Sequence, residues 1–243
     1  MKCIICNNIV EKGTVEHIFP KALGGRKKIK SVCKSCNSMM GAKIDALLIN
    51  NNVFKYLLEK YNKEKKCNKI PELIKHSKIF EKSTGKEVKV FKNKKFGTFA
   101  TTESVYKKIL QNQPFYIKNT KCEVLLEYDL NNYVSLCYKI AHEFLYDLYK
   151  SQYQDTNLCN MLSNYLYERI KGIATNFKLE DITQLSLNDI HCSKQRLTFC
   201  VTWHKNKILR GINIFDFILF TLTIENCNCE YDFMTNFQYD EQF

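Results

Sequence analysis

The chain has 243 residues, 45% hydrophobic and 26% charged, and its 37 Lys/Arg against 25 Asp/Glu give a formal net charge of +12. That length and apolar content suit a globular protein of one large or two modest domains with a substantial core. The longest apolar stretch, Ile212 to Ile224, is broken by Asn213, Asp216 and threonines, which excludes a membrane span there.

Two Cys-x-x-Cys knuckles open the chain, Cys3/Cys6 and Cys33/Cys36, separated by 26 residues. Each pair sets two sulfurs on one tight turn, and two such pairs suit tetrahedral thiolate ligation, so a structural zinc ion is expected on Cys3, Cys6, Cys33 and Cys36. The alternative is four buried thiols without metal. Between the knuckles stand Glu16-His17-Ile18-Phe19-Pro20, a Gly24-Gly25 turn and a lysine-rich run, and Asn37 follows the second knuckle directly. A zinc ribbon alone requires none of these.

The string Cys3-x-x-Cys6, Glu16-His17-Ile18-x-Pro20, Gly24-Gly25, Val32-Cys33-x-x-Cys36-Asn37 resembles the HNH endonuclease family, in its four-cysteine branch of the ββα-metal nucleases. The resemblance covers residues 1 to about 48, one fifth of the chain. It implies a β-hairpin followed by a helix, with zinc tying the ends together and a divalent cation at the centre. It also implies His17 as general base, with Glu16 and Asn37 as ligands of the catalytic cation. One position departs from the pattern: where the family often has an asparagine nine residues before the last one, this chain has Lys28.

The chemistry can be argued from the residue types. Phosphodiester hydrolysis needs a deprotonated water in line with the leaving oxygen and positive charge where the alkoxide develops. A histidine with a pKa of about 6.5 is neutral at physiological pH and can take that proton. The oxygens of Glu16 and Asn37 are hard ligands and favour Mg2+ or Mn2+ over thiophilic zinc. On a regular strand Glu16 and His17 point to opposite faces, so the resemblance implies a twisted, irregular strand end. Taken singly, Glu16 reads equally as a surface charge, His17 as a satisfied histidine and Asn37 as a helix N-cap.

After Asn37, the spacing of Met40, Ile44, Leu47 and Leu48 predicts an amphipathic helix, with Asp45 as a packing-related polar residue. Helical spacing continues to Tyr61, with a break at Asn50-Asn51-Asn52, and the charged stretch Asn62 to Lys69 reads as a linker. A hairpin is expected from Lys78–Glu81 and Glu87–Phe91 around Ser83-Thr84-Gly85. Its lysines (Lys86, Lys89, Lys92, Lys94, Lys95), interleaved with Phe91, Phe96 and Phe99, read equally as a nucleic-acid surface or as the polar face of a half-buried sheet. Cys122 to Tyr128 reads as a strand, Tyr133 to Leu148 as a helix, and Leu158 to Ile173 as a second helix ending at Gly172. Strands are expected at Leu197–Trp203 and Ile208–Ile214, paired across His204 to Lys207, and at Phe217–Ile224. The fold class is therefore α+β: a ββα-metal zinc module with its following helix over residues 1–61, then a mixed α/β domain over 70–243 that recognises substrate or regulates.

Charge supports a polyanionic partner. Residues 1–100 carry 23 Lys/Arg against 8 Asp/Glu, and residues 101–243 carry 14 against 17. Lys21, Arg26, Lys27, Lys28, Lys30 and Lys34 surround the candidate site in sequence and are expected to hold DNA phosphates. His191-Cys192 with Cys227-x-Cys229 is a weaker candidate for a second metal, and His142 reads as a satisfied core histidine. The expected activity is metal-dependent DNA cleavage, in restriction or antiviral defence. A homodimer and a defence-system partner or activating ligand are compatible with it. The alternative is an inactive zinc-stapled nucleic-acid-binding module within a larger assembly. Twelve cysteines with no secretion pattern ahead of the first knuckle point to the reducing cytoplasm.

Overall fold

The structure is a computed structural model that describes residues 1–51, 55, 78–94, 97–111, 113–114, 122–125, 130–173, 183–187, 196–201, 208–214, 218–223 and 234–242. The fold is α+β. The chain begins with the Cys3/Cys6 knuckle and an antiparallel hairpin of β1 (Thr14–His17) and β2 (Lys28–Val32). Between them lies a 3-10 turn at Lys21–Leu23. The Gly24-Gly25 pair that follows serves two purposes. Gly24 takes a left-handed conformation (φ 93°), while a Cβ on Gly25 would collide with the Phe19 carbonyl.

Helix α1 (Lys34–Met40) runs through a π turn at Gly41–Asp45 into α2 (Ala46–Ile49). The π turn explains why Cys36, Met40, Ile44 and Leu48, each four apart, are all buried, whereas Leu47 is exposed. A wider turn keeps a four-residue repeat on one side, where an uninterrupted α-helix would let it drift.

Residues Asn50–Asp129 form a separate compact unit. Its described part is a four-stranded antiparallel sheet of β3 (Lys78–Glu81), β4 (Glu87–Asn93), β5 (Gly97–Thr101) and β6 (Cys122–Leu125) in the order β5-β4-β3-β6, with α3 (Glu103–Leu110). The hairpin expected at 78–91 is present, and Ile79 and Val88, opposite one another, are both buried. Phe91 on β4 stacks on Tyr106 of α3 with ring centroids 3.8 Å apart, so this phenylalanine packs inside its own unit. Lys89 pairs with Glu103 at 3.2 Å. Helix α3 and strand β5 were not expected from the sequence.

The remainder returns to the first unit. Helix α4 (Leu130–Gln154) is broken at Lys150 (φ 47°), near the end of the helical spacing read in the sequence. Helix α5 (Asn157–Lys171) is N-capped by Thr156, whose side chain accepts from Cys159 N, and closes on Gly172 in the left-handed conformation. Five strands, β7 (Thr183–Leu187), β8 (Arg196–Val201), β9 (Ile208–Ile214), β10 (Ile218–Thr223) and β11 (Phe237–Gln242), make an antiparallel sheet in the order β11-β8-β9-β10-β7. The expected pairing of β8 with β9 is there, in the register Leu197↔Ile214. The turn residues 204–207 lie outside the described residues, as do Asn62 to Lys69.

Every residue from Tyr133 to Leu145 on α4 is buried, because this helix packs on more than one side. Phe144 meets Phe19 of the N-terminal module edge-on at 5.6 Å and stacks on Phe199 of β8 at 4.4 Å. Tyr138 meets Phe220 of β10 at 5.3 Å. Met1–Ile49 and Leu130–Phe243 consequently form one compact unit. This division differs from a boundary at residues 61–70, and the cause is α4, whose side chains complete the core of the N-terminal module. No helix among the described residues is long and apolar enough to cross a membrane.

Candidate nuclease centre

The sulfurs of Cys3, Cys6, Cys33 and Cys36 all lie within 4.8 Å of one another, with Cys6 and Cys33 at 3.9 Å. A tetrahedral zinc with bonds of about 2.3 Å separates its sulfurs by about 3.8 Å, so this donor set fits the ion. The first knuckle closes through Asn7, in a left-handed conformation (φ 59°), whose N–H donates to the Cys3 carbonyl at 3.0 Å. The second is the start of α1, where Cys33 is the N-cap and its sulfur accepts from Cys36 N at 3.5 Å. Cys33 N donates to the Cys3 sulfur at 3.3 Å. The Cys3 thiol is pushed down to about 4, chiefly by the Cys36 side chain and against burial, while Cys36 is pushed up.

Helices grip this knuckle from the far end of the sequence. His142, fully buried on α4, hydrogen-bonds the Ile4 carbonyl through Nε2 at 2.9 Å and Tyr153 Oη through Nδ1 at 2.8 Å. The Ser163 hydroxyl donates to the same carbonyl at 2.8 Å. Since a carbonyl only accepts, His142 carries its proton on Nε2 toward Ile4. Burial lowers its pKa to about 4, so the ring is neutral. The reading of His142 as a satisfied core histidine agrees with this geometry.

Strand β1 carries the expected chemistry and is irregular where it does so. Its register against β2 shifts between Thr14 and Glu16, after which Glu16 faces Ile29 and His17 faces Lys28. Asn37 fills this bulge: its Nδ2 donates to Thr14 Oγ1 at 2.9 Å and to the Val15 carbonyl at 3.0 Å. Asn37 is therefore not the N-cap, a place Cys33 takes, and its amide oxygen has no hydrogen bond among the described residues.

His17 is half-buried and its ring makes no hydrogen bond among the described residues. Partial burial, then Lys28 and Lys21, hold its pKa below the ordinary value. Lys28, the departure from the family pattern, thus stands directly across the hairpin from the candidate base. Glu16 points the other way and is only 6% exposed. Its Oε1 pairs with Lys139 Nζ at 2.5 Å. Lys139, fully buried on α4, also meets Asp45 Oδ1 and Oδ2 at 3.2 and 3.0 Å and donates to the His17 carbonyl at 3.2 Å. Burial opposes its charge, but the paired carboxylates of Asp45 and Glu16 outweigh burial and keep the ammonium protonated. For Glu16 burial raises the carboxyl and Lys139 pulls it back.

Lys21, Arg26, Lys28, Lys30 and Lys34 are exposed, whereas Lys27 is half-buried and ion-paired with Asp147 at 2.9 Å. His191, Cys192, Cys227 and Cys229 lie outside the described residues, and the four-cysteine group is the one metal-ligand cluster among those described. Sequence reasoning missed Lys139 and Glu143. Their signal was two charges one helical turn apart inside an otherwise apolar helix.

The arrangement thus offers a half-exposed neutral histidine, hard oxygens on Glu16 and Asn37, and cationic side chains on the hairpin's solvent side. The sequence model of the HNH endonuclease family matches residues 3–53. No curated protein and no solved structure matches the chain. The sulfur cluster, the Glu16-His17 strand and the Asn37 helix all fall inside the matched span, so residues 3–53 are similar to an HNH endonuclease domain with a four-cysteine group that fits a zinc ion.

Proposed function

We propose that this protein is an endonuclease that hydrolyses DNA phosphodiester bonds, with His17 as general base and with Glu16 and Asn37 holding a catalytic Mg2+ or Mn2+. The observation that carries the reading is the state of His17: a half-exposed ring without a hydrogen-bond partner among the described residues, its pKa held down by partial burial and then by Lys28 and Lys21, on the strand that Asn37 ties to α1. A base must be neutral and reachable, and this ring is both.

In this reading the imidazole removes a proton from the attacking water. When bound, the divalent cation supplies positive charge to the phosphate and the leaving oxygen. Glu16 Oε2 and Asn37 Oδ1, both without partners among the described residues, are the oxygens that would hold it. Lys21, Arg26, Lys28, Lys30 and Lys34 place phosphates against the hairpin, supported by their exposure. Lys27 contributes less, because Asp147 already neutralises it. Most of the chain lies beyond the matched span, and its role in this reading is to select substrate or to answer an activating partner, in a defence setting.

One observation favours the alternative, a zinc-stapled binding module without catalysis: Glu16 is already ion-paired. Supercoiled plasmid incubated with the zinc-loaded protein and Mn2+ or Mg2+ separates the two. The enzyme reading requires nicking by the wild type that disappears in His17→Ala. Equal cleavage by both proteins, or by neither, contradicts it.

A further inference from the structure

Within the first unit, the contact that no part of the zinc module supplies for itself is Lys139. It reaches from α4 to Glu16 across more than 120 positions of sequence and is fully buried. Its three N–H donors are directed at Glu16 Oε1, the Asp45 carboxylate and the backbone carbonyl of His17. A buried lysine is expensive unless paired and hydrogen-bonded, and here the pairing falls on the two residues that carry the chemistry and on the end of the π turn. We propose that Lys139 is a positioning residue of the nuclease centre: its ammonium fixes one oxygen of Glu16 and the backbone of His17, so that Glu16 Oε2 is directed to the catalytic cation and the imidazole to water.

The inference rests on the nuclease reading. It adds that α4 is part of the active-site framework, so the matched span alone lacks a piece of its own centre. The geometry argues for positioning over simple packing. A methylene chain would fill the same space, but only a donor can hold Glu16, Asp45 and the His17 carbonyl together. It also argues against a lysine that merely blocks the cation, because the ammonium engages Oε1 and leaves Oε2 without a partner among the described residues.

The test compares full-length, zinc-loaded wild type with Lys139→Met, using Mn2+ as the probe. Mn2+ affinity is read by electron paramagnetic resonance of the free ion, and turnover is read on plasmid at saturating Mn2+. Positioning predicts a split. Lys139→Met binds Mn2+ at least as tightly as wild type, since a positive charge beside Glu16 is gone, yet its kcat falls about 100-fold, the usual effect of misplacing reacting groups by an ångström. Hydrogen exchange in the Thr14–His17 peptide rises as well, because the His17 carbonyl loses its donor. Unchanged kcat and Mn2+ affinity in folded Lys139→Met leave only a structural lysine and overturn the proposal. Tighter Mn2+ binding with equal or faster turnover makes Lys139 a competitor of the cation and overturns it too. If Lys139→Met does not fold, Asp45→Ala, at a partly exposed position, decides by loosening the same ammonium: kcat must fall at saturating Mn2+, and wild-type kcat refutes the idea. A wild type that cleaves nothing defeats the nuclease reading itself, whereas an active wild type with a fully active Lys139→Met defeats only this inference.

Discussion

Replacing Cys33 by serine separates two roles that one side chain holds. Cys33 is both a candidate zinc ligand and the N-cap of α1, where its sulfur accepts from Cys36 N. Serine is a good N-cap, so the helix keeps its cap and only the metal bond is lost. Structural zinc supplies roughly 10–16 kcal/mol of apparent binding free energy in small modules, against about 5–15 kcal/mol for the whole stability of a domain. Forfeiting a third of the lower figure, about 3 kcal/mol, is already a large share of that margin. The loss spreads beyond the knuckles because Ile4, between Cys3 and Cys6, is held by His142 and Ser163 on α4 and α5. Zinc content by mass spectrometry and thermal unfolding read the outcome. Cys33→Ser is expected to lose zinc and to melt about 6–12 °C below wild type. Cys137→Ala, which removes a fully buried thiol outside the cluster, is expected to keep zinc with a smaller loss. Full zinc occupancy and an unaltered melt in Cys33→Ser would refute the four-sulfur assignment.

Three further outcomes follow from the same geometry. Glu143 is fully buried, neither of its carboxyl oxygens has a hydrogen-bond partner among the described residues, and burial drives its pKa well above the ordinary value. Because the folded-state pKa exceeds the unfolded one, Glu143 penalises the fold increasingly as pH rises above about 4.5; Glu143→Met should gain about 1–3 kcal/mol in urea unfolding at pH 8 and less at pH 5.5, and a loss at both would show a favourable contact instead. The acid limb of kcat/KM should fall below the ordinary histidine value of about 6.5, since burial, Lys28 and Lys21 lower the pKa of His17; Lys28→Gln should move that limb upward, and a downward shift would contradict the assignment. DNA affinity should fall steeply with salt, and Lys28→Ala and Lys30→Ala should each lower the slope of log K against log salt by about 1, whereas an unchanged slope removes them from the phosphate surface.

The motif behind the proposed centre is legible in the sequence because its parts are local. The knuckles are three-residue spacings, Glu16 and His17 are neighbours, and Asn37 adjoins a ligand. Local patterns also gave the 78–91 hairpin, α4, α5 with its Gly172 cap, and the β8–β9 pair. What escaped is set by long-range packing. No spacing rule connects Lys139 to Glu16, and a charged residue inside an apolar helix gives no hint of which carboxylate it meets. The alternative reading of Asn37 as an N-cap suits its type, yet Cys33 takes that place and Asn37 turns toward the bulge of β1. Leu47 read as core because the pattern assumed an α-helical pitch, which the π turn at Gly41–Asp45 does not keep. A boundary at the polar stretch Asn62 to Lys69 does not match the compact units, because α4 carries the chain back to the N-terminal module. Strands β7 (Thr183–Leu187) and β11 (Phe237–Gln242) carry only two apolar or aromatic residues each, Leu185 with Leu187 and Phe237 with Tyr239, and pairing with β10 and β8 defines them.

The most direct test of the central claim is where a catalytic cation binds. Crystals of the zinc-loaded protein soaked with Mn2+ and measured at the manganese edge should show an anomalous peak between Glu16 Oε2 and Asn37 Oδ1, with the His17 ring facing the adjoining solvent. No peak there, with Lys139 and Glu16 still paired and manganese bound elsewhere or not at all, would contradict the account.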